Sequence, residues 1–160
     1  MTSRPKDPSP KLRTISACGR RNGIMQTDVD VRGFDFVIDE PEKLGGGDTG
    51  PTPMEYVTGA LGGCFNVTIE LIAQEFGLSP EDIEVSCEGI VDHRGLFGTA
   101  EVSPHFQNVK VDISLILEMP DDLRDQFKRT CLKRCPVYNL IKDSGVPVQV
   151  GWHFNASHNA

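Results

Sequence analysis

Apolar positions along this chain change period several times, and each change marks an element. Residues 12 to 19 and 24 to 31 flank Asn22-Gly23, a dipeptide that tolerates the positive φ of a tight turn, and together they predict a first hairpin. Phe34, Phe36 and Ile38 alternate with Asp35 and Val37 and predict a third strand that stops at Asp39-Glu40-Pro41. A glycine-rich loop over residues 45 to 51 follows. From Pro53 to Phe76 the pattern is helical, with Thr52 able to cap it and Pro53 suited to its first turn. Only Glu55, Glu70 and Glu75 are charged in that stretch, so the helix belongs in a core or a subunit interface.

The second half repeats this logic. Ile83, Val85 and Cys87 alternate with Glu84, Ser86 and Glu88, and Val109, Val111, Ile113, Leu115 and Leu117 alternate more regularly still. Asp121 or Asp122 is the expected cap of a helix running towards Cys135. Pro136 cannot donate to the preceding turn, so a second short helix starts there and ends at Ser144-Gly145. Val146, Val148, Val150, Trp152 and Phe154 close the chain as a strand. Residues 1 to 11 and 155 to 160 read as tails, with a single domain over 12 to 154 and no internal repeat. Hairpin-joined strands with interspersed helices predict an α+β fold with a mainly antiparallel sheet, and the apolar helix predicts a dimer that covers it.

Composition narrows the partners. At 160 residues the chain fits one domain, and its net charge of -7 argues against a nucleic acid or an anionic membrane. A small or neutral ligand is expected. No apolar run reaches the length of a membrane span by this reading, and the polar, proline-rich start lacks the apolar core of a signal peptide. A cytoplasmic location follows as an expectation. There the five cysteines would be mostly reduced, and a disulfide that does form would be catalytic rather than structural.

Two of those cysteines stand in distinctive surroundings. Cys64 lies in the small-residue run Gly59-Ala60-Leu61-Gly62-Gly63-Cys64-Phe65, and Cys135 is followed at once by Pro136. Each thiol is thereby placed by a helix, which is the layout of a redox pair. Taken alone, a buried cysteine is simply a small core residue, and Cys18 and Cys87 are read that way. Cys131 and Cys135 stand at i,i+4, but no histidine or further cysteine pair lies at ligand spacing, so no metal site is expected. Gly59, Gly62 and Gly63 weaken a helix, and close packing is the expected compensation.

With Asp39-Glu40-Pro41, Leu44-Gly45-Gly46, Gly50-Pro51-Thr52-Pro53-Met54-Glu55, Ala60-Leu61-Gly62-Gly63-Cys64 and Arg134-Cys135-Pro136-Val137 in view, the chain resembles the OsmC/Ohr family of thiol-dependent peroxidases, in its broader OsmC-like branch. The resemblance spans about residues 13 to 154. It implies an intertwined homodimer with long central helices packed between antiparallel sheets. It also implies reduction of organic hydroperoxides by a peroxidatic Cys64 and a resolving Cys135, with no bound cofactor. An external dithiol, such as a lipoylated protein or a thioredoxin-like donor, would reset the pair.

A peroxidatic cysteine attacks as the thiolate and needs positive charge nearby. The family uses an arginine held by a carboxylate. Its short glycine-arginine-glycine motif is matched by residues 18 to 23, which makes Arg20 the carried-over candidate, with Arg21 and Arg32 as alternatives. The family's glutamate directly follows the proline, where this chain has Met54; Glu55 comes one later. In one regular helix, nine residues at about 100° each would put Glu55 on the face opposite Cys64 and about 13 Å along the axis. Glu55 would then act through the other subunit or after a helix break. Cys135, at the cap of the helix that begins with Pro136 and near Arg129, Lys133 and Arg134, is expected to have a favoured thiolate. The competing reading is a non-catalytic OsmC-like dimer that binds a small apolar ligand.

Overall fold

The computed structural model describes residues 9–155 and divides the chain into two compact units, one ending at Val57 and the other beginning at Thr58. Most of the two tails therefore lies outside the described residues.

The first unit is a three-stranded antiparallel meander of β1 (Cys18–Arg21), β2 (Thr27–Val31) and β3 (Phe34–Ile38). The expected strand from residue 12 shrinks to four residues, and Leu12 and Ile15 before it are exposed. Asn22-Gly23 does not form a two-residue turn. The loop spans residues 22 to 26, closed by the Asn22 N–H on the Gln26 carbonyl at 3.0 Å, because Met25 takes the second left-handed position at φ 61°. The tight turn instead joins β2 to β3. Arg32 and Gly33 there have φ of 59° and 82°, as a type I′ turn requires, and the Gly33 N–H donates to Asp30.

Asp39 ends β3 and organises the loop beyond it. It is fully buried, and its carboxylate accepts from the Thr49 hydroxyl at 2.7 Å and from the N–H groups of Glu40, Gly47 and Thr49 at 2.8 to 3.1 Å. The Thr49 hydroxyl leads in holding this carboxyl below the usual carboxylate range, against the opposing effect of burial. At Gly46 a Cβ would stand 1.9 Å from the Glu40 carbonyl oxygen, so only glycine fits there. The Tyr56 hydroxyl donates to the Val37 carbonyl at 2.7 Å, which ties the start of α1 (Pro53–Phe76) to β3.

The second unit pairs β4 (Asp82–Val91) with β5 (Phe106–Ile116) antiparallel, and β5 with β6 (Val148–Asn155) parallel. Among the described strand pairings the parallel one is the exception in the mainly antiparallel arrangement that was expected. After β5 the chain passes through α3 (Asp121–Arg134) and α4 (Pro136–Asp143), a crossover long enough to bring β6 back in the same direction. The strands β4 and β5 also extend beyond the predicted alternation, and a five-residue helix α2 (His93–Phe97) between them was not anticipated. Pro120 rather than an aspartate caps α3, and Asp121 and Asp122 fall in its first turn.

One face of β5, with Val109, Val111, Ile113 and Leu115 at 0 to 2% exposure, forms the core with Leu61, Phe65, Ile69 and Ile72 of α1. Phe127 of α3 lies edge-on to Phe76 and to Trp152 of β6 at ring distances of 5.7 and 6.4 Å. By length and composition α1 could cross a membrane, contrary to the expectation that no run is long enough, and 33% of its most apolar window is buried inside the chain. The core helix of a globular domain meets the same description. On its other side Val67 and Leu71 are exposed, next to Gly63, where a Cβ would meet nothing within 4 Å. The expected close packing at Gly59 and Gly63 is therefore not met within one chain, and Gly62 makes only ordinary contact with β4.

Candidate active site

Cys64 sits in the middle of α1 because Leu61, Phe65 and Ile69 anchor that stretch in the core. Cys135 sits at the joint between α3 and α4. Pro136 forces that break, since it offers no N–H to continue α3, and Cys135 turns extended at φ -73° and ψ 111° while capping both helices. Its N–H still donates to the Cys131 carbonyl at 2.9 Å. Its own carbonyl accepts from the Asn139 backbone N–H and from Asn139 Nδ2, which also bonds the Leu132 and Lys133 carbonyls. Asn139 thus satisfies the last turn of α3 and fixes the joint. It was not singled out in the sequence, although a polar residue one turn after a helix break was the available signal.

The two thiols meet. Cys135 Sγ donates to Cys64 Sγ at 3.3 Å, with Cys135 fully buried and Cys64 partly open to a cavity of about 210 Å³. Val67, Thr68, Leu71, Arg134 and Pro136 complete its lining. At that separation the two sulfurs are within reach of a bridge after a small shift.

The expected favoured thiolate at Cys135 is not found. Burial pushes this thiol up to about 11, and the Cys64 thiol adds to the rise, while the Tyr138 N–H at the start of α4 and the Thr68 hydroxyl pull the other way. Desolvation outweighs the helix terminus here. Burial likewise pushes Cys131 up to about 12. The basic neighbours expected to help are engaged elsewhere in one case, since the Arg134 guanidinium makes a forked pair with Glu75 at 2.5 and 3.0 Å.

Arg20 and Arg21 are exposed on β1, and Arg32 lies in the β2–β3 turn with its guanidinium 5.4 Å from the Phe34 ring centroid. All three belong to the first unit. Glu55 forms a capping box with Thr52: its carboxylate accepts from the Thr52 N–H at 2.7 Å, and its own N–H donates to the Thr52 hydroxyl at 3.3 Å. The pattern Thr-x-x-Glu was legible in the sequence as that signature. No helix break intervenes, because α1 runs unbroken from Pro53 to Phe76.

The family model described as OsmC-like protein matches residues 45–151, a stretch that carries both thiols and Glu55 but not Arg20. The chain belongs to the OsmC-like protein family. Similar solved structures agree in fold. An OsmC-like protein from Mycoplasma pneumoniae is 14% identical over 91% of this chain and 99% of that one, with a TM-score of 0.74. An organic hydroperoxide resistance protein from Legionella pneumophila is 18% identical over 90% and 99%, with a TM-score of 0.69. The organic hydroperoxide resistance protein OhrB of Bacillus subtilis is 17% identical over 88% and 98%, with a TM-score of 0.59. No curated protein matches the chain. At these identities the likeness is one of OsmC-like α+β architecture.

Proposed function

We propose that this OsmC-like protein is a thiol-dependent peroxidase acting on organic hydroperoxides, with Cys64 as the peroxidatic and Cys135 as the resolving thiol. The observation that carries this reading is the 3.3 Å approach of the buried Cys135 sulfur to the sulfur of Cys64, which lines a cavity. The Cys64 thiolate attacks the terminal peroxide oxygen, the O–O bond breaks, and the alkoxide leaves with a proton as the alcohol. Cys64 is left as a sulfenic acid. Cys135 then displaces its hydroxyl as water and forms the disulfide, which a dithiol donor reduces by exchange. Val67, Leu71 and Pro136 give the cavity apolar walls that suit an alkyl peroxide better than hydrogen peroxide. Two of the similar structures are organic hydroperoxide resistance proteins, which supports the same substrate class.

The working form is a homodimer. The exposed Val67 and Leu71 and the open space at Gly63 give α1 an apolar face that a second copy would cover.

The test is turnover of purified protein with cumene hydroperoxide, hydrogen peroxide and a dithiol. Wild type should consume the organic peroxide faster, and Cys64→Ser should abolish turnover. Equal, negligible rates in both proteins across peroxides and reductants would replace this reading with the ligand-binding one.

A further inference from the structure

The peroxidase reading, on which the following rests, leaves its second step with a difficulty. Cys135 must give up a proton while fully buried, where its thiolate is disfavoured. Among the residues lining the cavity, Thr68 and Arg134 are the polar side chains besides Cys64 itself, and Arg134 is tied to Glu75. Thr68 is only 6% exposed. One turn after Cys64 on α1, it donates its hydroxyl to the Cys64 carbonyl at 2.7 Å and lies within hydrogen-bonding reach of the Cys135 sulfur. A hydroxyl has a single proton to donate and rotates about its C–O bond at little cost. While Cys135 is a thiol donating to Cys64, that proton serves the carbonyl.

We propose that Thr68 is a positioning residue for disulfide closure, its hydroxyl turning from the Cys64 carbonyl to the Cys135 sulfur as that thiol loses its proton. The balance of the step is simple. The Cys135 S–H bond and the Cys64 S–OH bond break, the S–S bond forms, and the proton leaves with the hydroxide as water. Thr68 is neither consumed nor oxidised. It stabilises the sulfur that carries the charge and returns to the carbonyl once the disulfide has formed. The groups facing Cys135 during this step are Cys64 on α1, Cys131 on α3 and the Tyr138 N–H on α4, while Arg134, paired with Glu75, lines the cavity beside Cys64 and acts on Cys131.

The experiment is a single turnover of reduced protein with one equivalent of cumene hydroperoxide and no external reductant. Dimedone traps the sulfenic acid, and mass spectrometry follows the Cys64–Cys135 disulfide. Thr68→Val removes the hydroxyl with little change of shape, and Thr68→Ser keeps it. With sulfenic-acid formation followed separately by dimedone, Thr68→Val should close the disulfide from that intermediate about tenfold more slowly, the loss expected for one hydrogen bond to a charged sulfur. Thr68→Ser should close near the wild-type rate.

Equal closure in Thr68→Val and wild type, or equally slow closure in both variants, overturns the proposal. A second readout is the pH profile of iodoacetamide alkylation at Cys135, measured by mass spectrometry. It should move to higher pH in Thr68→Val and stay put in Thr68→Ser, and an unmoved profile in Thr68→Val overturns the role. If wild type forms no sulfenic acid, the peroxidase reading fails, and the alkylation profile decides the role of Thr68 alone.

Discussion

Asp39 and Cys135 are both ionisable and both fully buried, yet their surroundings drive them in opposite directions. Around Asp39 a hydroxyl and three backbone N–H groups converge on the carboxylate, so its charged form is favoured although no cation is needed. Around Cys135 the donors are fewer, burial outweighs them, and the charge-free form is favoured. The difference separates structure from chemistry. A buried charge on which four donors converge holds a loop in place. A buried thiol held in its neutral form, 3.3 Å from a second sulfur, is placed to close a disulfide once that second sulfur has been oxidised.

The comparison breaks most visibly at Asp39. Asp39→Ala strips four donors of their acceptor and should lower Tm more than any other substitution discussed here, measured by circular dichroism. A wild-type Tm in that variant would mean the loop does not depend on the carboxylate.

The pH dependence of stability sharpens it next, because the two sites act at opposite ends of the scale. The folded carboxyl of Asp39 titrates below its ordinary 3.8, so its contribution is present above that value and is lost as pH falls through the folded pKa. Asp39→Asn should flatten the acid limb below about pH 4. The folded Cys135 thiol titrates near 11 against an ordinary 9.0, so its contribution is complete below 9.0 and is lost as pH rises towards 11. Cys135→Ala should flatten the alkaline limb in reducing conditions and leave the acid limb alone. Urea midpoints across pH check both, and identical limbs in wild type and variants would remove the contrast.

A smaller effect is expected at the capping box. Thr52→Ala should cost about 1 kcal/mol in urea unfolding, as a lost N-cap does, without changing the Cys64–Cys135 disulfide yield. A loss of that yield would assign this end of α1 more than a structural role.

Much of this was readable from sequence where the code is local. The alternation of Phe34, Phe36 and Ile38 matched β3, the apolar run matched α1 residue for residue, and Pro136 marked the joint that presents Cys135. The paired cysteine contexts anticipated a contact across 71 positions of chain. What escaped was set by three-dimensional surroundings. The parallel β5–β6 pairing depends on the path of α3 and α4, and the five-residue α2 is too short to show a period. The helix-terminus argument for a favoured Cys135 thiolate failed because local sequence does not report how deeply the joint is buried. Thr68 and Asn139 went unnoticed for a related reason, since their value lies in which carbonyls and sulfurs they reach after folding.

The central claim is that Cys64 and Cys135 form one redox pair. Its most direct measurement is peptide mapping by mass spectrometry of reduced protein treated with one equivalent of an organic hydroperoxide and then alkylated without reduction. The account predicts a Cys64–Cys135 disulfide as the main product in wild type, and a dimedone-reactive Cys64 without disulfide in Cys135→Ser. Two fully alkylated thiols after treatment, or oxidation confined to Cys18 or Cys87, would contradict it.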